Sequence, residues 1–223
     1  ETKNKSPKHQ KAETNVDSWE DACSAFARVV PGSYGNHEST QHVQQHSKHD
    51  SKQSIQDKES KQSKDVSVSK LLADEFATKA SSDPQWKDMW RFRQNLPVFK
   101  LRTALLDALR GDGVEHDAAV VCGETGSGKT TQVPQYLLDD CIERGVGSGC
   151  RVVCTQPRRV AALSVAERVS SERCERNGPG GYGSLVGHHV RLDAKVTKDT
   201  RLTFMTAGIL LRKMHGDPLL SDV

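Results

Sequence analysis

Aromatic residues make up only 5% of this 223-residue chain and hydrophobic residues only 35%, with a mean hydropathy of −0.65. That is too little apolar material for a core along the whole length, so part of the chain is expected to stay unfolded. No apolar run is long enough to span a bilayer, and no secretory signal peptide is present. Six cysteines (Cys23, Cys122, Cys141, Cys150, Cys154, Cys174) are too sparse for a disulfide scaffold. Their sparseness points to a reducing intracellular compartment, cytoplasmic or nuclear. An excess of one charge is missing too: 32 Lys and Arg against 29 Asp and Glu leave +3, too mild to announce a nucleic-acid partner by itself.

What is present is unevenly placed. Residues 1–66 are rich in Lys, Ser, Gln, His, Asp and Glu and read as a disordered polar arm, because such a stretch cannot bury enough surface to offset its ordering entropy. His37, His42, His46 and His49 lie in this arm without fixed geometry and read as a solvated tail rather than a metal site. Trp19, Ala22, Phe26 and Val29 suggest a short amphipathic docking element for a protein partner. Residues 67–96 read as a helical lead-in, with Leu71, Leu72 and Phe76, a break at Pro84, then Trp86, Met89, Trp90 and Phe92. Lys87, Arg91 and Arg93 interleave with those aromatics, and a helix edge packing on its neighbour accounts for the mixture better than nucleic acid does. Phe99, Leu101, Leu105, Leu106 and Leu109 support a further helix ending at Gly111 or Gly113.

Chemistry enters next. The run Ala118-Ala119-Val120-Val121-Cys122 reads as a buried strand, and it is followed by Gly123-Glu124-Thr125-Gly126-Ser127-Gly128-Lys129-Thr130, a full G-x-x-x-x-G-K-[ST] phosphate loop. Its glycines let consecutive N–H groups point inward at anionic oxygens, and the helix starting near Lys129 adds its positive end. Lys129 is expected on the β- and γ-phosphates of a nucleoside triphosphate, the Thr130 hydroxyl on Mg²⁺, and Thr131 beside them in the same turn. Cys150 and Cys154 have no second Cys or His pair nearby and read as buried thiols rather than a zinc site.

Strands and helices then alternate. Val133, Tyr136, Leu137, Leu138 and Ile142 mark the loop helix, and Arg151 to Thr155 a strand ended by Pro157. Val160, Ala161, Leu163, Val165, Ala166 and Val169 mark a second helix. After the turn from Gly178 to Gly183 come an extended segment Val186 to Leu192, a strand Leu202 to Met205 and a helix at Ile209-Leu210-Leu211. This alternation predicts an α/β fold: the N-terminal part, 97–223, of a RecA-like P-loop NTPase lobe built on a parallel sheet.

Beyond the loop, Thr155-Gln156-Pro157-Arg158-Arg159-Val160-Ala161-Ala162 resembles motif Ia of the DEAH-box (DEAH/RHA) RNA helicases. The loop with Thr131-Gln132-Val133-Pro134-Gln135 resembles their motif I, and Val186 to Arg191 and Thr206 to Arg212 follow in the family's order. The resemblance covers about Asn95 to Val223. It implies an ATP-dependent RNA helicase, with Arg168 stacking on the adenine and Arg158, Arg159, Arg191, Thr206 and Gly208 against RNA phosphates. Arg158 and Arg159 stand at a helix N-terminus, where cations are disfavoured unless an anion is near. Since the chain starts at Glu1 and stops at Val223, short of the family's Asp-Glu-x-His strand, it is expected to be a nucleotide-binding fragment with little turnover of its own. A kinase or other P-loop NTPase, and a non-catalytic nucleotide- or RNA-binding module, stay open as alternatives.

Overall fold

The computed structural model describes residues 27–28, 50–110, 118–221 and 223. Most of the expected arm, with its histidines and the Trp19 cluster, lies outside these residues, as do Gly111 and Gly113. A two-residue strand β1 (Ala27–Arg28) and a helix α1 (Asp50–Ser82) come first. The expected boundary at Val66 falls inside α1. The run from Asp50 to Val66 contains no Gly or Pro and has opposite charges four apart (Asp57 and Lys61, Lys61 and Asp65), which favours helix. Residues 62–68 are all exposed.

The lead-in continues as α2 (Pro84–Gln94), a 3₁₀ turn (Pro97–Leu101) and α3 (Arg102–Arg110). Asp83 caps α2, its carboxylate accepting from the backbone N–H of Gln85 at 2.9 Å and Trp86 at 3.3 Å, with Pro84 in the first turn where no N–H is needed. Then follow α4 (Lys129–Glu143), β2 (Val152–Gln156), α5 (Arg159–Glu172), β3 (Val186–Val190), β4 (Asp193–Lys195), β5 (Leu202–Thr206) and α6 (Ala207–Gly216).

The sheet runs β1-β2-β5-β3-β4. Its centre is parallel, β2 with β5 and β5 with β3, as the alternation predicts, but both edges are antiparallel. The β3–β4 hairpin turns on Arg191 and Leu192, with Leu192 at φ +66°, a residue without the Gly, Asn or Asp signature of such turns. A second difference concerns residues 118–122. They form no strand: Val120 is 90% exposed and Cys122 is exposed. A strand is defined by its ladder, and no described strand pairs with this segment.

Strand alternation sends side chains to two faces. Val152 and Cys154 of β2 and Leu202 and Phe204 of β5 join the larger core, with Tyr136, Leu137 and Leu138 of α4, Ala162, Ala166 and Val169 of α5, and Val98, Leu105 and Leu106 of the lead-in. Val153 and Met205 point the other way, to a small cluster with Leu220 and Val223. Cys141, Cys150 and Cys154 are buried free thiols. No helix among the described residues is long and apolar enough to cross a membrane.

Candidate nucleotide-binding site

The loop owes its shape to two glycines in the left-handed region, Gly126 at φ +83° and Gly128 at φ +94°. A Cβ on Gly128 would meet Leu96 Cδ1 at 3.1 Å and Val98 Cγ1 at 3.2 Å, so the loop's last turn is seated directly on the lead-in. The Val98 N–H donates to the Ser127 carbonyl at 3.1 Å and reinforces that seat. At Gly126 a Cβ would meet nothing within 4 Å, so that side of the loop is open.

Lys129 is the first residue of α4, and its ammonium reaches back over the loop. It donates to the Gly123 carbonyl at 2.6 Å and the Glu124 carbonyl at 2.9 Å, with Ser127 Oγ at 3.5 Å. A cation at a helix N-terminus faces like charge, and the first turn of α4 contains no acid to offset it. Anionic oxygens entering the loop would relieve that opposition and take over the ammonium's hydrogen bonds. Thr130 follows in the same turn, half-buried, with a hard hydroxyl oxygen of the kind Mg²⁺ accepts. Thr131 Oγ1 donates to the Gly128 carbonyl at 3.3 Å, while Glu124 and Thr125 are exposed at the rim.

Behind the loop lies a buried polar network that the sequence analysis did not foresee. The Asp139 carboxylate accepts from Arg173 Nη1 at 2.6 Å and Arg93 Nη2 at 3.2 Å, all three side chains almost fully buried. Arg93 Nε also donates to Gln132 Oε1 at 2.8 Å, and its guanidinium stands 5.0 Å from the Trp90 ring centre. Burial would lower the pKa of Arg173, but Asp139 and Glu175 outweigh it and hold it above the ordinary arginine value. Arg93 therefore packs, as its spacing predicted, while Lys87 and Arg91 stay exposed. A signal for the network was present: Gln132, Gln135 and Asp139 fall three and four residues apart on one face of α4, in a stretch that also holds Val133, Tyr136, Leu137 and Leu138.

Arg168 lies on α5, its side chain 55% exposed and its Nε donating to Glu172 at 2.7 Å. The Phe92 ring lies beneath its guanidinium at 5.6 Å. The remaining predicted residues gather at the carboxyl edge of the sheet. Gln156 of β2 is in register with Thr206 of β5, so Arg158 and Arg159 at the start of α5 sit beside Thr206 and Gly208 at the start of α6. Arg158, Arg159 and Gly208 are exposed, and neither helix has a side-chain cap. Arg191 follows β3, parallel to β5, and reaches the same end. His189 nearby has its pKa lowered by burial, Lys213 and His188, so the positive charge of this edge rests with Lys213 and the arginines.

No protein-family model matches the chain. Curated relatives do. ATP-dependent RNA helicase DHX29 of Homo sapiens is 46% identical over 146 residues, 65% of this chain and 10% of that protein. DExH-box ATP-dependent RNA helicase DExH4, chloroplastic, of Arabidopsis thaliana is 50% identical over 139 residues, 62% of this chain and 9% of that protein. The ATP-dependent DNA/RNA helicase DHX36 of Rattus norvegicus is 44% identical over 146 residues, 65% and 14% respectively. The chain is thus similar to DEAH-box ATP-dependent RNA helicases along about 65% of its length. It spans about a tenth of the length of the relatives it matches. The fold places the loop with Lys129 and Thr130 on one side, and Arg158 and Arg159 with Thr206 and Gly208 on the other. Arg168 is tied to the loop helix through Glu172, which donors on both helices share.

Proposed function

We propose that this chain supplies the nucleotide site and the first RNA contacts of an ATP-dependent RNA helicase. What carries the reading is Lys129, bound over a glycine-rich loop at a helix N-terminus, in a chain 46% identical over 146 residues to an ATP-dependent RNA helicase. The loop amides and Lys129 hold the β- and γ-phosphates, and Thr130 holds Mg²⁺, which offsets phosphate charge when bound. Arg168 offers a planar cation to the base, a contact that asks little of base identity. Arg158, Arg159 and Arg191 neutralise RNA phosphates, with close backbone approach at Thr206 and Gly208. The free buried thiols support a reducing compartment, cytoplasm or nucleus. Residues 1–66, helical from Asp50, serve as a polar arm with room for a protein partner, and the lead-in that follows seats the loop through Leu96 and Val98.

Titration with a fluorescent ATP analogue, with and without Mg²⁺, tests the site. Lys129→Ala should weaken binding in both conditions and Thr130→Ala chiefly when Mg²⁺ is present; equal affinities for wild type and Lys129→Ala would sink the assignment. Changing both Arg158 and Arg159 to Ala should weaken single-stranded RNA binding for every sequence alike and flatten its logarithmic salt slope by about 0.7 per lost contact. An unaltered slope would leave a nucleotide-binding P-loop protein without an RNA role.

A further inference from the structure

Glu172 is 2% exposed, yet it is a carboxylate, and such a group stays charged inside a protein only if donors surround it. Its two oxygens divide their donors by origin. One accepts from Arg168 Nε at 2.7 Å, on its own helix. The other accepts from Gln132 Nε2 at 2.7 Å and Gln135 Nε2 at 2.9 Å, both on the helix that begins at Lys129. Gln132 Nε2 also reaches Thr131 Oγ1 at 2.9 Å, next to the magnesium-holding position. One carboxylate thus joins the phosphate end of the site to the arginine assigned to the base.

The arginine itself is prepared on one face. Its guanidinium carbon stands 5.6 Å from the centre of the Phe92 ring, while more than half of the side chain remains exposed. A guanidinium has two faces, and with Phe92 under one the other is available to a planar ring, giving a ring–cation–ring stack. The edge held by Glu172 stops the plane from rotating out of that stack.

We propose that Glu172 is a positioning residue of the nucleotide site, orienting Arg168 over Phe92 for base stacking and linking that stack to the phosphate loop through Gln132 and Gln135. The proposal rests on the nucleotide-binding reading above. It separates from a merely structural staple because a staple alters stability without altering how the chain distinguishes a base from no base.

The test compares the affinity of the full chain for ATP with that for ribose 5-triphosphate, which has the same phosphates and no base. The wild-type preference for ATP should shrink about three- to tenfold in both Glu172→Gln and Phe92→Leu. Glu172→Gln added to Arg168→Ala should shrink it no further, since the carboxylate acts through the arginine. Thermal melting reports folding. Should Glu172→Gln fail to fold, Phe92→Leu decides, because Phe92 is 45% exposed and its replacement keeps the helix apolar there. An unchanged preference in Phe92→Leu, or an additive loss in the double variant, overturns the proposal while leaving nucleotide binding intact. Absence of binding to either triphosphate by the wild-type chain overturns the nucleotide reading, and the positioning role with it.

Discussion

The two faces of the sheet are built differently. On one, α4, α5 and the lead-in bury a continuous apolar core, and within it lie Arg93, Asp139, Arg173 and Glu172. On the other, α6 has no fully buried residue, Leu211 is 57% exposed, and only Val153, Met205, Leu220 and Val223 form a buried cluster. Charge is therefore buried where the groups assigned to nucleotide are positioned, whereas the cluster on the thinner face is wholly apolar. Burying two guanidiniums round one carboxylate is favourable only with close geometry, which the contacts at 2.6 Å and 3.2 Å supply. The phosphate loop is seated on this face, against Leu96 and Val98 and at the start of α4.

The largest expected effect follows from that arrangement. Asp139→Ala leaves the Arg93 and Arg173 guanidiniums buried without their shared carboxylate and should cost about 3–5 kcal/mol of stability, read from urea unfolding. A loss under about 1 kcal/mol would mean that water reaches the network and that the two faces differ less than the burial implies. Next comes the apolar contrast. Phe204→Ala on the first face should cost about 3–5 kcal/mol, whereas Leu220→Ala, at the margin of the small cluster, should cost about 2 kcal/mol. Equal losses would break the comparison.

These two faces were not equally legible beforehand. The helices α4 and α5 announced themselves through apolar spacing, and the phosphate loop through a contiguous pattern in which every residue has a local role. What escaped depends on distant partners. Residues 118–122 have the composition of a strand, but a strand exists only with a ladder, and composition says nothing of whether one is offered. The hairpin at Arg191 and Leu192 lacks turn chemistry, and α1 before Val66 is set by helix-compatible polar residues, the apolar positions Leu72 and Phe76 coming only later in the same helix. Arg93 was legible as packing because it sits among Trp90, Phe92 and Trp86. Its partner Asp139 was not, because the pairing spans 46 residues of sequence. Glu172 escaped for the same reason: its donors Gln132 and Gln135 are local to a different helix.

The smallest effect tests whether the first face is dry. Cys154 belongs to that core, and burial pushes its thiol up to about 12 from 9.0, with the Gln156 amide pulling slightly the other way. The unfolded chain therefore loses this proton at lower pH than the folded one. Stability from this group is full below pH 9, declines as pH rises, and is lost through pH 12. At pH 10 the loss should be about 1.4 kcal/mol, one logarithmic unit of proton linkage. Tyr136, also pushed by burial to about 12 from 10.0, adds its main share only above pH 10. Urea unfolding of the wild-type chain and of Cys154→Ala between pH 8 and 10 isolates the thiol. The variant should decline less steeply by that amount; the share from Cys150, raised by its hydrogen bond with Cys141 and by burial, and from Cys174, raised by burial, stays in both proteins. A variant that declines as steeply as the wild type would show that the Cys154 thiol titrates normally, and that the face carrying the charged network is wetter than its packing suggests.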